Sequence, residues 1–298
     1  MGALTLLAVP NVSEGRDDAA IDAIAAAFAA GGEGVRLLDV HRDPDHNRSV
    51  VTLAGAPGRL APALAAGAAE AARRIDLRAN DGVHPHVGAL DVAPVVFLRE
   101  EERGVACAEA LLAADLIARQ GIPVLTYGLL AQGRTRAFIR RGGPAALAER
   151  LRAGELATDF GPRAPHPTAG ATLVAARPPL VAFNVTLAPS ATLEQARAVA
   201  ARVREGGPEG LPGLRAIGLE LARAGAIQIS MNVERPDLTP LRDVVAAIAA
   251  HVPVAAAELV ALAPEAAFAG FPADLPIPGF DPGRHLIERA LSPGRPRH

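Results

Sequence analysis

The chain has 298 residues, of which 50% are hydrophobic and 21% charged, and its formal net charge is −2. This length is sufficient for two ordinary domains, and the hydrophobic half of the composition excludes disorder as the default interpretation. A net charge near zero, one Tyr and no Trp argue against a general nucleic-acid binder.

The first half alternates between period-2 and helical apolar spacing, which predicts strands and helices in turn. Its order is β-α-β-β-α-β, and a further helix, strand and helix follow. We therefore predict a first domain with an extended mixed sheet. The predicted strands are 4–9, 35–41, 48–54, 92–98 and 122–127, and the predicted helices are 18–30, 58–75, 102–119 and 144–153.

The segment 158–171, DFGPRAPHPTAGAT, contains too much proline and glycine for a regular element. We interpret it as a connection between domains, and we place the domains at 1–177 and 178–298.

The second half repeats the order β-α-β-β-α-β, which is that of a ferredoxin-like unit with a four-stranded antiparallel sheet and both helices on one face. The last helix is expected to begin with Thr239 as N-cap and Pro240 at N1. The fold class is thus α/β (α+β), with two tandem ferredoxin-like domains and helices packed on the outer face. The predicted strands are 180–187, 214–221, 226–233 and 257–263, and the predicted helices are 191–205 and 238–252.

The proline-rich tail from Phe271 contains HLIERAL, a short helical pattern for which Asp281 is the expected cap before Pro282. We expect the tail to pack across one domain.

Three further features of the sequence limit the chemistry. All 30 basic residues are Arg, so a lysine phosphate loop and a Schiff-base lysine are excluded. Apolar stretches end well before the roughly 18 residues of a membrane span, and the N-terminus lacks the basic region of a signal peptide. We therefore expect a cytoplasmic protein without membrane contact. The single cysteine, Cys107, lies in a helical pattern, and we expect it to be a small buried hydrophobic residue and not a nucleophile.

Four loops concentrate polar residues that the fold itself does not require: 10–16, 41–48, 80–91 and 158–171. Loops at strand ends are where α/β proteins place their sites. We therefore expect a protein that acts on small molecules, with its site at these loops.

Spaced segments with a distinctive pattern lie over about residues 8–264: VPNVSEGR, DPDHNRSVVTLAG, VHPHVGALDVAP, IPVLTYG, DFGP with HPTAGAT, VAFNVTL, AIGLEL and QISMNV. They resemble motifs of the glutamate formiminotransferase family and fall in the family's order. The resemblance implies transfer of a formimino group from N-formimino-L-glutamate to tetrahydrofolate in histidine degradation. It also implies a homodimer whose folate lies between two subdomains, tetrahydrofolate as the acceptor substrate, and no metal. We find no sign in this sequence of the cyclodeaminase domain that is fused in animal relatives.

The resemblance places the family's catalytic histidine at His84. Histidine suits this chemistry, because one proton must leave folate N5 and another must reach the departing amine. A loop histidine bonded to backbone is the alternative. Asp91 is the second catalytic candidate, as it could orient His84 or hold the cationic formimino group, or it could cap a turn.

The substrate carboxylates require cations or helix N-termini, and a flat pterin ring requires close backbone approach. Arg136 and Arg140 are candidate cations near the motifs. His86 could pair with His84 or replace a ligand-binding Arg, and Asn184 is either a satisfied core amide or a ligand contact. The predicted binding residues are Asn11, Ser13, Glu14, His41, Asn47, Arg48, His86, Tyr127, Gly161, Pro162, His166, Thr168, Gly170, Arg177 and Asn184.

Three positions depart from the family pattern, since Val83, Leu129 and His41 stand where the family has carboxylates. These departures leave two other functions open: a non-catalytic folate or acyl-acid binding protein, and a transferase with another formyl or formimino donor. A metal-dependent hydrolase using His41, His46, His84 and His86 is a further alternative, although the spacing fits no standard ligand signature.

Overall fold

The computed structural model describes residues 4–82 and 85–292. The chain divides into two compact units, Met1–Pro178 and Pro179–His298. In the described part of the chain, no helix combines the length and apolar character needed to cross a membrane.

The first unit is built on a seven-stranded mixed sheet. Its strands are β1 (Leu6–Ala8), β2 (Asn11–Val12), β3 (Arg36–Asp43), β4 (Arg48–Gly55), β5 (Leu90–Val96), β6 (Val124–Thr126) and β7 (Thr172–Arg177). Its helices are α1 (Asp18–Ala30), α2 (Leu60–Arg74), α3 (Arg103–Ala118), α4 (Arg136–Arg140) and α5 (Gly143–Arg152).

The short strands β1 and β2 occupy one position in the sheet, since both pair antiparallel with β4 on one side and β5 on the other. With β3 at the edge beside β4, these strands have the ferredoxin-like arrangement. The extension is parallel, because β7 pairs with β5 on one side and β6 on the other. The expected extended mixed sheet is confirmed.

Two apolar layers cover the extended part of this sheet. Alternate side chains of β5, such as Ala93 and Val95, pack with α1, α2 and α3 in the larger core. Val92 faces the other way, into a smaller core that includes Ile139 of α4 and Leu147 of α5. The polar loops at the ends of β5, β6 and β7 are thus supported by packed elements on both faces.

The second unit confirms the predicted four-stranded antiparallel sheet, whose strand order is β11-β8-β10-β9. Helices α6 and α7 pack on the same face, because residues of both share one core with Phe183 and Ile229. The strands are β8 (Val181–Leu187), β9 (Leu214–Leu221), β10 (Ala226–Val233) and β11 (Val254–Val260), and the helices are α6 (Leu193–Val203) and α7 (Leu241–Ala249).

Two local predictions are wrong. The segment 158–171 does not connect the units, since it lies inside the first one and leads into β7, a strand that we did not predict. Helix α7 begins one residue later than expected: Pro240 is its N-cap, and the Thr239 hydroxyl donates to the Pro212 carbonyl at 2.7 Å instead of capping the helix.

The tail packs on the second unit as expected. Phe271 makes an edge-to-face contact with Phe183, and Leu275 and Ile277 join the same core. The Asp281 side chain caps helix α8 (Pro282–His285) by accepting the Gly283 N–H at 2.7 Å. The expected single helix is therefore two short ones, α8 and α9 (Ile287–Leu291).

Candidate functional site

The four polar loops of the sequence lie together in the first unit. Loop 10–16 contacts loop 41–48, where the Gly15 N–H donates to Asn47 Oδ1 at 2.9 Å. It contacts loop 80–91 through the Ser13 N–H, which donates to the Ala89 carbonyl at 2.9 Å. Ala89 in turn donates its N–H to Ala169, at 2.9 Å, in the segment 158–171. Hydrogen bonds, two of them backbone to backbone, thus link all four loops into one assembly.

Ser13 holds both ends of the loop that contains the predicted catalytic position. His84 and its neighbour Val83 lie outside the described residues. Before them, the Asn80 side chain donates to the Ser13 carbonyl at 2.8 Å. After them, the buried Ser13 hydroxyl donates to the Gly88 carbonyl at 2.7 Å. Ser13 therefore positions the loop through its backbone and its side chain together.

An ion pair adds a second attachment before this position. Arg16 binds Asp81 with 2.5 Å between its Nη1 and the carboxylate, and its Nε donates to the Pro44 carbonyl at 3.0 Å. Arg16 thereby connects the loops 41–48 and 80–91. Asp81 is well exposed, so the hydrogen bonds of Ser13 contribute more to the position of the loop than this pair does.

Asp91 is fixed by two donors at the start of β5. Its Oδ1 accepts the Val87 N–H at 2.7 Å, and its Oδ2 pairs with Arg140 of α4. The Asp91 side chain is 3% exposed and the Arg140 side chain is 12% exposed. Asp91 therefore caps the turn that precedes β5, and Arg140, which the sequence presented as a cation for substrate, neutralises its charge.

A second buried pair, Asp43 and His46, lies at the turn between β3 and β4. The imidazole Nδ1 is 2.5 Å from the carboxylate, and the His46 N–H donates to the same side chain at 2.9 Å. Burial raises the pKa of Asp43, but the hydrogen bonds and charge of His46, with the charge of Arg48, outweigh burial and hold that pKa below its ordinary value. Asp43 was not among the residues predicted from the sequence, although the run Asp-Pro-Asp-His indicates such a turn.

The turn between β3 and β4 explains why positions 47 and 82 are occupied by asparagine and glycine. Asn47 has a positive φ of 48°, which Asn tolerates better than most residues. A Cβ on Gly82 would lie 2.6 Å from the His46 carbonyl oxygen. Only glycine at position 82 allows the loop 80–91 to approach this turn so closely. Asn47 is a structural link between loops, because its side chain accepts the Gly15 N–H.

The segment 158–171 places His166 in a defined tautomer. Its Nδ1 accepts the Ala169 N–H at 3.1 Å, and its backbone pairs with Gly170 in both directions. Because a backbone donor points at Nδ1, the neutral ring carries its proton on Nε2. Gly170 has a φ of 68°, and a Cβ there would lie 2.1 Å from the Val87 carbonyl oxygen, so only glycine fits.

Tyr127 follows β6 and is buried. The guanidinium carbon of Arg136 lies 5.7 Å from its ring centroid, a cation–π arrangement. Among the described residues, the Tyr127 hydroxyl has no hydrogen-bond partner. The loop after it is fixed by Arg134, which pairs with Asp159 and donates to the Thr126 carbonyl at 2.9 Å. Nothing in the sequence pattern indicated this Arg134 and Asp159 link.

The remaining predicted residues have simple surroundings. Glu14 Oε1 accepts the N–H groups of Arg16 and Asp17 and so shapes the start of α1. Asn11 donates to the Val9 carbonyl at 3.1 Å. Thr168 accepts the Leu77 N–H through its carbonyl, and Arg177 donates to the Pro178 carbonyl at 3.0 Å. Gly161 has a positive φ and, like Pro162, is exposed; His41 and His86 are half-buried.

Asn184 lies in the second unit, on β8, and is not part of the loop assembly. Its amide donates to Glu258 on β11 at 2.8 Å. The described residues contain no group of three His, Cys, Asp or Glu side chains arranged to hold a metal ion.

Comparison with known proteins gives matches over most of the chain. Residues 5–177 match the model of the formiminotransferase domain, N-terminal subdomain, and residues 182–271 match that of the formiminotransferase domain. The glutamate formimidoyltransferase of Thermoplasma acidophilum is 35% identical over 298 residues, covering 95% of this chain and 96% of the relative. That of Streptococcus pyogenes serotype M1 is 37% identical, covering 76% of each.

A longer relative matches over part of its length. The formimidoyltransferase-cyclodeaminase of Rattus norvegicus is 36% identical over 274 residues, covering 86% of this chain and 49% of the relative. The chain thus spans about half the length of this curated relative.

Proposed function

The chain belongs to the formiminotransferase family, and from this premise we propose that it moves a formimino group from N-formimino-L-glutamate to tetrahydrofolate. The observation that carries the proposal is the similarity to a glutamate formimidoyltransferase over nearly the whole of both chains. Tetrahydrofolate is then the acceptor substrate, and the reaction belongs to histidine degradation.

The chemistry is an addition followed by an elimination. N5 of tetrahydrofolate attacks the formimino carbon and forms a tetrahedral adduct, which then expels the amine of glutamate. One proton leaves N5, and one must reach the departing nitrogen. We assign both transfers to His84 as general acid and base, because an imidazole exchanges protons near neutral pH and needs no metal to do so.

The surroundings of position 84 support this assignment. Ser13 holds both flanks of the loop, and Asp91 is fixed by Val87 and Arg140. General acid–base catalysis requires a group held in place before the substrate arrives, because misplacement costs rate steeply. The residues on either side of positions 83 and 84 are held in place by these hydrogen bonds.

The segment 158–171 is our candidate for a folate contact. His166 offers an Nε2 proton in a fixed tautomer, and the glycine at 170 lets the backbone come close to a flat ring. Arg48, Arg136 and Arg177 are proposed to attract the substrate carboxylates, since their charges lie near the loop assembly or at the end of β7.

The proposal extends to the state of the protein in the cell. We propose a cytoplasmic homodimer, as the resemblance implies. Light scattering of the purified chain tests the dimer, and a monomeric mass would contradict it.

A coupled assay of 5-formiminotetrahydrofolate formation, with a panel of formimino and formyl donors, tests the activity. We expect His84→Ala to lower turnover by roughly 10²–10⁴-fold and to leave the dissociation constant of tetrahydrofolate nearly unchanged. His251→Ala is the matched control, because His251 is a surface residue of the second unit that pairs with Glu209. Wild-type turnover in His84→Ala would show that the catalytic assignment is wrong.

The same assay separates the enzyme from the alternative binding protein. If the wild type binds tetrahydrofolate but turns over no donor, the carboxylates replaced by His41, Val83 and Leu129 explain the loss, and the non-catalytic interpretation takes the place of ours.

A further inference from the structure

The second unit carries a buried polar cluster that the proposed reaction has not used. Side chains of its strands alternate between two faces, and Phe183 and Ile229 face the core with α6 and α7. Asn184, Gln228 and Glu258 belong to the opposite face. Asn184 lies directly across from Glu258 of β11, and Gln228 lies on β10, the other neighbour of β8. Three adjacent strands, β11, β8 and β10, thus contribute one polar side chain each.

The three side chains converge on one oxygen. The Asn184 amide donates to Glu258 Oε2 at 2.8 Å, and the Gln228 amide donates to the same atom at 3.4 Å. Asn184 is 1% exposed and Gln228 is 2% exposed. The two amides therefore hold the carboxylate of Glu258 in a defined position on this face of the sheet.

The cluster is incomplete as an internal network. Gln228 Oε1 is buried and has no hydrogen-bond partner within residues 4–82 and 85–292. Exchanging the amide oxygen and nitrogen does not help, because the oxygen would then face the carboxylate and the nitrogen would be left unpaired. Native proteins pair nearly all of their buried polar atoms, so an orphan of this kind requires an explanation.

A ligand that supplies N–H groups would complete the network. Gln228 Oε1 and the Glu258 carboxylate are both acceptors, and their amide and carboxylate groups are joined by a hydrogen bond. Two adjacent acceptors, one of them negative, match a planar ligand edge that presents two N–H groups from one N–C–N unit. The same cluster disfavours the carboxylate end of a ligand, because like charges repel there.

We infer that Glu258 and Gln228 form a binding subsite for a planar N–C–N edge with paired N–H donors. This inference rests on the proposed function, in which two groups have such an edge: the amidine-like formimino group of the donor, and the 2-amino-4-oxo ring of the reduced pterin. The subsite selects for nitrogen donors, and Asn184 is a positioning residue that acts through Glu258.

Calorimetry on the full chain, under anaerobic conditions, tests the subsite with two probes. 6-Methyltetrahydropterin carries the ring edge without a glutamate tail, and formamidinium chloride carries only the amidine. The 2-oxo analogue of the pterin, 6-methyltetrahydrolumazine, replaces one N–H donor by an acceptor. If the pterin uses the subsite, we expect it to bind at least tenfold more tightly than its 2-oxo analogue. Whichever of the two probes binds identifies the source of the N–C–N edge.

Substitutions assign the binding to these residues. Gln228→Leu and Glu258→Gln should each weaken the bound probe by tenfold or more. If the pterin is that probe, Glu258→Gln should also bring the affinities for pterin and lumazine together, because a glutamine amide can donate to the 2-oxo group. Glu209→Gln, a surface carboxylate elsewhere in the second unit, should bind as the wild type does.

Three results would overturn the subsite: binding of neither probe, unchanged probe binding in both substituted chains, or equal wild-type affinity for the pterin and its 2-oxo analogue with no binding of formamidinium. The wild-type comparison needs no variant, so it stands if a substituted chain fails to fold. Binding is measured without turnover. A chain that turns over no donor but loses probe binding in Glu258→Gln would refute the proposed function and retain the subsite.

Discussion

Asp91 and Arg140 form a buried ion pair that ties the first residues of β5 to the last turn of α4. The pair brings together two residues that are 49 positions apart in the sequence. It fixes the carboxylate at the end of the loop 80–91, and so the helix α4 becomes part of the support of the candidate site.

Removing one partner of this pair should be costly. We expect Arg140→Met to lower the free energy of unfolding by about 3–5 kcal/mol, because it leaves the Asp91 charge buried and unpaired. Asp91→Asn combined with Arg140→Met should lose less than the sum of the single changes. Urea denaturation measures both. Arg152→Met, which removes an exposed partner of Glu149, should cost under about 1 kcal/mol; an equal loss in both Arg variants would contradict the argument.

Gly67 is a close-contact position between α1 and α2. A Cβ there would lie 2.0 Å from the ring of the fully buried Phe28. Gly67→Ala should therefore destabilise the protein by about 1–3 kcal/mol through overpacking, although alanine favours a helix. Gly104 in α3 has open space around it, and Gly104→Ala should stabilise by about 0.5–1 kcal/mol. Thermal unfolding of the two variants should shift in opposite directions, and a shared direction would refute the packing argument.

The Asp43 and His46 pair should make stability depend on pH in acid. The pKa of Asp43 in the folded chain is lower than its ordinary value, so its contribution is complete above about pH 4 and is lost as pH falls through the folded pKa. The difference in unfolding free energy between wild type and Asp43→Asn should shrink below about pH 4, by at most about 1.4 kcal/mol per pH unit. Denaturant titrations from pH 3 to 7 measure it. A difference that stays constant would show that Asp43 does not titrate in this way.

Ser13 should affect turnover more than ligand affinity. Ser13→Ala removes the donor to the Gly88 carbonyl and loosens the loop after position 84. A lost hydrogen bond of about 1 kcal/mol predicts a roughly fivefold lower kcat, with KM for tetrahydrofolate little changed. Ser292→Ala removes a comparable hydroxyl bond, to the Glu288 carbonyl in the tail, and should leave kcat unchanged. Equal effects of the two changes would count against a positioning role.

The periodic elements were accessible from the sequence. The bounds of α1, β9 and β10 match the predicted ones, since apolar spacing and flanking turn residues mark them locally. Strand β7 was missed because five of its six residues are buried, which removes the alternation that reveals a half-exposed strand.

Contacts between residues far apart in the chain could not be predicted from the sequence. Helix α2 has no side-chain cap of its own at Arg59, and the carboxylate of Glu109 from α3 accepts the Ala61 N–H at 2.6 Å in its place. The sequence likewise placed the four loops at strand ends but could not show that Ser13 joins loop 10–16 to loop 80–91. Partners far apart in the chain leave no local pattern, so residue pairing at the site required the coordinates.

The position of β7 has a consequence for how the chain is made. Strand β6 pairs only with β7 among the described strands, and β7 lies between β5 and β6. The ribosome therefore releases the central strand of this extension last, after α3, α4 and α5 have already emerged. A nascent chain that stops before Thr172 has a gap between β5 and β6, so β6 cannot join the sheet before the six residues of β7 are synthesised.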